Sequence, residues 1–368
     1  MDSAPRIARI SIRNFRGIAE LDLDFCGPDG KPNDLVVLAG PNGCGKTAVL
    51  EACLGCVGCA ELARRSLGSD AVRAGCDGFT VNADIIGGGV SLKCNLTHLG
   101  PSEELEGRVR WDSATKQWRG RARVAYFSSW RSADLVGAVT LDSSPSKRVS
   151  TTLPKELADW FVSEVPIGQR SAAIRDAIKA MFDRQVPVEN SRLASVKQAL
   201  VQLAAHEALG KKGRPKGVLQ LQSVLGQLDT AWLVLRPGSS GSFEVGPVGD
   251  DPESGFDLFR TTSGGGRLSV DNLSSGELEV LSFFGWMLVK GFERGIILID
   301  EPELHLDPQW HVPVLNAMRA LQPESQFIVA THSPAIYDAA QSYERHLLLP
   351  DDDPRSEVWT RPVAEGRS

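Results

Sequence analysis

A short, wholly apolar run, Leu35–Ala39, opens directly onto Gly40-Pro-Asn-Gly-Cys-Gly-Lys46-Thr47. That junction constrains the chain more than any other feature. An uninterrupted apolar stretch of this length reads as a strand buried on both faces, as in a parallel sheet. The segment after it matches the G-x4-G-K-[ST] phosphate loop, which sits between such a strand and a helix. Glycines let the backbone curl so that the amides of Asn42, Gly43, Cys44 and Gly45 face phosphate oxygens, and the helix adds its positive end. Lys46 then supplies a point charge to the β and γ phosphates, and Thr47 a hydroxyl for Mg²⁺.

A second junction lies far along the chain. Ile296–Ile299 is again fully apolar and ends in Asp300-Glu301-Pro-Glu303. A buried strand that delivers Asp300 to a metal shell leaves Glu301, one residue on, placed to polarise an attacking water. A third run, Phe327–Ala330, leads into Thr331-His332-Ser333-Pro334, so that His332 can sense a γ-phosphate through a hydrogen bond. Leu273-Ser274-Ser275-Gly276-Glu277 precedes the apolar stretch Leu278–Val289. A serine and glycine amides at a helix start suit an anion, though taken alone the segment is better explained as a plain helix cap.

In this order the four segments resemble the ABC-type ATPase heads, in the branch of the SMC, RecF-like and OLD-family proteins. Leu273–Glu277 resembles the ABC signature, with a glutamate at its last position. The segment from Asp300 to Pro308 and Ala330–Pro334 resemble the OLD-like ATPases of prokaryotic defence and repair systems. Ser11–Gly17 resembles the opening strand of the same group. The resemblance implies an α/β fold, a P-loop NTPase with an ABC-ATPase-like head of mixed sheet, an antiparallel subdomain and a helical insertion. It also implies ATP and Mg²⁺ as ligands, clasped between two copies in a homodimer or higher oligomer. Ser274, Ser275, Gly276 and Glu277 would then face the ATP of a second copy, and Asp307 would lie in the loop crossing the seam. Glu301 would be the general base, His332 the γ-phosphate sensor, and Lys46, Thr47 and Asp300 would hold phosphate and metal. No glutamine marks a Q-loop where Ala125–Arg131 would place it.

With 368 residues, the chain divides by pattern into an N-terminal half of the head (1–150), a helical insertion (151–230) and a C-terminal half (231–368). Ile10 and Ile12, then Leu21, Leu23 and Phe25, predict two paired strands about Gly17. Phe79–Trp130 reads as an antiparallel subdomain that includes Val124–Phe127. Leu193, Val196, Leu200 and Leu203, then Leu221, Val224, Leu225 and Leu228, predict a helical hairpin. Its tip is basic, at Lys211, Lys212, Arg214 and Lys216. Strands are expected to return from Ala231.

The charge sum of −6 offers no global field for nucleic acid, so any DNA contact must be local, at that tip or at Arg119, Arg121 and Arg123. Apolar stretches are too short to span a bilayer, and the N-terminus has no basic-then-apolar leader, which predicts a cytoplasmic protein without a membrane partner. Seven cysteines are no disulfide framework. Cys53, Cys56 and Cys59 form a C-x2-C-x2-C run that reads as small core residues rather than an iron–sulfur ligand set.

The functional expectation is an ATP-dependent dimerising ATPase that gates a separate effector, a nuclease or toxin, in anti-phage defence or DNA repair. No room appears for a nuclease domain after the sensor strand. A DNA-binding clamp or loader is the alternative. A transporter subunit is disfavoured by Glu277 and by the large insertion.

Overall fold

The computed structural model describes residues 4–57, 59, 67, 69–87, 90–99, 110–111, 124–128, 221–247, 256–262, 264–289 and 294–350. It also describes helical positions 193, 196, 197, 199–201, 203 and 204. Lys211–Lys216, Arg119, Arg121 and Arg123 lie outside these.

Two sheets enclose one helix. β1 (Arg6–Phe15) pairs antiparallel with β2 (Ile18–Asp24), as Ile10 and Ile12 anticipated. The parallel sheet is built on β3 (Leu35–Ala39), which runs into the glycine loop and α1 (Lys46–Cys56). β4 (Gly78–Gly87), β5 (Val90–Leu99) and the short β6 (Arg110–Trp111) extend the first sheet in the order β2-β1-β4-β5-β6. β7 (Val124–Phe127) does not join them. It is the edge strand of the parallel sheet, Val124 facing Ile296 in parallel register. This corrects its assignment to the antiparallel subdomain. Ala125 and Phe127 are buried with one core cluster, while Val124 and Tyr126 pack against the other, and burial on both faces is what a parallel strand needs.

α2 (Leu221–Leu235) brings a second correction. Strands were expected from Ala231, but the buried stripe Leu221, Val224, Leu225, Leu228 continues through Ala231, Trp232 and Leu235. Helical period overrides the strand-like Trp-Leu-Val composition. The boundary drawn at 230/231 therefore falls inside a helix. Leu193, Val196 and Leu200 share a core cluster with α2, so the described part of the predicted hairpin is built into the head.

β8 (Phe243–Pro247), β9 (Phe256–Thr261) and β10 (Arg267–Ser269) form a small antiparallel sheet. α3 (Ser275–Val289) follows, then β11 (Ile296–Asp300), α4 (His311–Leu321), β12 (Gln326–Thr331), α5 (Pro334–Ala339) and β13 (Arg345–Leu347). The parallel sheet runs β13-β3-β12-β11-β7. Gly285 on α3 lets a neighbour close in: a Cβ there would stand 2.6 Å from Val196 Cγ1.

α1 is buried nearly all round, with β1, β4 and β5 on one side and β11 and β12 on the other. Such a helix needs small residues, which accounts for Ala52, Cys53, Gly55 and Cys56. Gly55 packs directly on Leu96. Cys53 is sealed in this layer, where burial pushes its thiol up to about 12. Gln326, fully buried, ties the two sheets by donating to the carbonyls of Ile7 at 2.9 Å and Asn33 at 3.1 Å while accepting from the Ile7 amide at 2.7 Å. The described cysteines are free thiols. Among the described residues no helix is long and apolar enough to cross a membrane.

Candidate functional site

The parallel strands β3, β11 and β12 deliver their chemistry to one sheet edge, their C-terminal ends, where ligands of open α/β sheets bind. β3 ends at Ala39 and the loop turns on Gly40, Gly43 and Gly45, with φ of 153°, 81° and 95°. These left-handed values suit glycine. A Cβ on Gly40 would also meet the Leu348 carbonyl and lie 2.7 Å from Cys44 Sγ. Lys46, 6% exposed, donates from Nζ to the carbonyls of Gly40 and Pro41, both at 2.9 Å. Thr47 Oγ1 donates to Asp300 Oδ2 at 2.9 Å, which joins the phosphate loop to the end of β11 across 253 positions of sequence.

Glu301 follows Asp300 in a left-handed conformation, φ 53°, held by its amide to the Ala330 carbonyl at 2.7 Å and its carbonyl to the Leu304 amide at 3.0 Å. A non-glycine residue in that region costs on the order of 1–3 kcal/mol and persists only where neighbours impose it. Its carboxylate meets His332 Nε2 at 3.4 Å. Burial, then the charge of Asp300, raises the Glu301 pKa above the ordinary carboxylate value, while His332 and Lys46 oppose the rise. A carboxylate so tuned is a better proton acceptor near neutral pH.

Sequence reasoning assigned no role to Glu303. Its Oε1 accepts from the amides of His332 at 2.6 Å and Ser333 at 3.1 Å, so it fixes the backbone that carries His332. Ser333 in turn caps α5 and shares a 2.8 Å hydrogen bond with His311 Nδ1. An acidic residue three positions past a strand end was the available signal, yet only the folded chain reveals what it holds. The buried pair of Arg16 with Glu51, between the β1–β2 turn and α1, was also unforeseen.

Ser274, Ser275, Gly276 and Glu277 form a second group. Ser274 donates from its amide and its hydroxyl to Glu277 Oε2, both at 2.8 Å, and accepts from the Glu277 amide at 3.4 Å. This is a reciprocal capping box at the start of α3. Gly276 allows contact with the loop after β11, since a Cβ there would be 2.9 Å from the His305 carbonyl oxygen. Asp307 in that loop accepts from the Gln309 amide at 3.0 Å and caps the turn Pro308–Trp310. The side-chain hydrogen bonds and ion pairs of Ser274 and Glu277 run to each other and to Arg236, not to the phosphate loop. One chain therefore gathers Lys46, Thr47, Asp300, Glu301 and His332 at the strand ends, and Ser274 and Glu277 make no hydrogen bond or ion pair to them.

The first group fits a nucleoside triphosphate with Mg²⁺. The loop has the glycine geometry that turns amides toward phosphate. Thr47 and Asp300 present two hard oxygens side by side. Among the described residues no cluster of three or more His, Cys, Asp or Glu side chains could hold a metal alone. Mg²⁺ characteristically draws its remaining ligands from substrate phosphates and water.

Two family models match the chain: one described as "AAA domain, putative AbiEii toxin, Type IV TA system" over residues 173–338, and one described as "AAA domain" over residues 9–81. The Septu protein PtuA of Bacillus thuringiensis is 32% identical over 122 residues, covering 29% of this chain and 30% of that protein. The OLD nuclease of Thermus scotoductus is 25% identical over 360 residues, 95% of this chain and 63% of its own length. The chain thus spans less than two thirds of either relative. A solved SMC head domain from Thermotoga maritima superimposes with a TM-score of 0.48 at 14% identity, over 93% of this chain and 94% of that one.

Proposed function

We propose, from the premise that this chain is an ABC-type ATPase head of the SMC/OLD-like family, that it hydrolyses ATP to ADP and phosphate between two copies of itself. The observation that carries the reading is the single cluster at the strand ends, Thr47 on Asp300 and Glu301 on His332. Lys46 and the loop amides bind the β and γ phosphates. Thr47 and Asp300 would hold Mg²⁺, which when bound would supply charge neutralisation. A water attacks the γ-phosphorus as the bond to the β–γ bridging oxygen breaks, and Glu301 accepts the water's proton. His332, 3.4 Å from Glu301, orients that carboxylate and donates toward the γ-phosphate.

That Ser274–Glu277 makes no hydrogen bond or ion pair to this cluster, and that Ser274 and Ser275 are exposed at a helix start able to take an anion, supports the two-copy arrangement. ATP then acts as shared ligand, and loss of the γ-phosphate loosens the pair. The cycle gates a separate effector, a nuclease or toxin, in a prokaryotic defence or repair system. The toxin and toxin–antitoxin wording of one matched family and the likeness to a Septu protein support that setting.

Glu301→Gln tests the core of the reading. With Mg·ATP it is expected to bind nucleotide, to lose hydrolysis and to shift to a dimer or larger assembly in light scattering, a shift that Lys46→Ala abolishes. A Glu301→Gln chain that stays monomeric at every ATP concentration overturns the two-copy arrangement.

A further inference from the structure

The signature segment carries a charge conflict. Its hydroxyl, Ser274 Oγ, stands 2.8 Å from the Glu277 carboxylate and donates to it. If Ser274 is to meet a γ-phosphate, an anion must approach a carboxylate at hydrogen-bond range, and like charges at that separation repel. The same carboxylate also ties up the hydroxyl proton that would donate to phosphate.

Arg236 addresses the charge. It lies one residue past α2 and pairs with Glu277 from Nη1 to Oε1 at 3.1 Å. The Glu277 side chain is 8% exposed and that of Arg236 is 51% exposed, so the charge of the pair that faces outward is the positive one. The guanidinium also lies over Trp310, 5.4 Å from its ring centre, at the end of the turn that Asp307 caps. A guanidinium has five N–H donors, and the contact to Glu277 leaves others directed outward. Arg260, nearby, cannot take this part: it is 8% exposed and packs over Trp232 and Phe243. Arg236 therefore touches both segments that the two-copy reading places at the seam.

We propose that Arg236 is the positioning residue that makes the signature receptive to an anion: it neutralises Glu277 beside Ser274, where the γ-phosphate of ATP bound to a second copy would arrive. The inference rests on the two-copy reading and deepens it. Nothing in the local sequence announces the residue, since Arg236 falls where the sequence alone predicts strands.

The experiment uses the full chain in the Glu301→Gln background, with Mg·ATP-driven dimerisation followed by light scattering. A fluorescent ATP analogue reads binding to the phosphate loop at high dilution, and a thermal melt confirms folding. Arg236→Ala is expected to weaken the ATP-driven dimer by about tenfold or more while analogue binding is retained. Arg236→Lys, which keeps the charge, and Arg236→Ala with Glu277→Gln, which removes the charge needing compensation, are both expected to recover most of the loss. That rescue is the readout a purely structural role would not give, because the double variant has lost the contact altogether. A dimer unchanged in Arg236→Ala, or a double variant as weak as the single one, overturns the inference and leaves the two-copy reading standing. A parent chain that never dimerises overturns both.

Discussion

The two groups of candidate residues are built by different means. Around Lys46 the side chains are fixed by strand ends, by the hydrogen bond from Thr47 to Asp300 and by a strained Glu301 whose backbone is tied to β12. Around Ser274 the same chain uses a capping box, a half-exposed ion pair and a glycine contact. The first is held in place by buried Lys46 and Asp300 while Thr47 and His332 stay open to solvent, so its charges are preorganised at an accessible edge. The second is a surface whose donors are satisfied locally until something better arrives. On the proposed two-copy reading, the first would be the reaction centre and the second a receptor for another copy's substrate.

The largest effects test whether the halves are separable. Glu301→Gln and Ser274→Ala are each expected to lower hydrolysis by about 100-fold or more in steady-state phosphate release. Mixing Lys46→Ala with Ser274→Ala is expected to restore part of the turnover, since each mixed dimer holds one intact site of two. Recovery of nothing would place both residues in one chain's site and erase the distinction.

Next is a buried staple behind the signature. Lys197, fully buried, lies 2.5 Å from Asp257 Oδ1 and 3.0 Å from Asp271 Oδ2, joining a helix of the middle segment to β9 and to the turn that leads into Ser274. Lys197→Met leaves two carboxylates without their cation and is expected to cost about 3–5 kcal/mol, read as a fall in the denaturation midpoint. A variant as stable as the parent would show that the signature side needs no such anchor.

Glu303 sharpens the comparison on the other side. Glu303→Ala removes the acceptor for two amides and is expected to lower kcat by about 10–100-fold with KM for ATP little changed. Glu303→Gln, which keeps a carbonyl oxygen, is expected to recover most of it. Equal losses in both variants would mean that the charge, not the amide contacts, matters. The smallest effect is on stability at the cap itself: Ser274→Ala is expected to cost about 0.5–2 kcal/mol in thermal melts, far less than its effect on turnover.

The legible parts of the molecule are those where burial on both faces leaves a continuous apolar run. Leu35–Ala39, Ile296–Ile299 and Phe327–Ala330 needed no partner to be recognised, and the residues following them became the candidate site. Val124–Phe127 has the same character but is only four residues long and follows strands of the other sheet, so sequence proximity misassigned it. Ala231–Leu235 looks extended by composition and is helical by period, a conflict that packing against the core decides. Arg236, Glu303 and Lys197 carry no sequence pattern, because their roles depend on neighbours brought together from distant segments.

The enclosed helix α1 has a consequence for motion. With sheets against both sides and scarcely any solvent contact, its amides are placed to exchange with deuterium only when the whole head opens. The glycine loop at its head thus rests on a helix packed between two sheets. If the proposed two-copy arrangement holds, a second copy's solvent-facing helix start would close against that firm support.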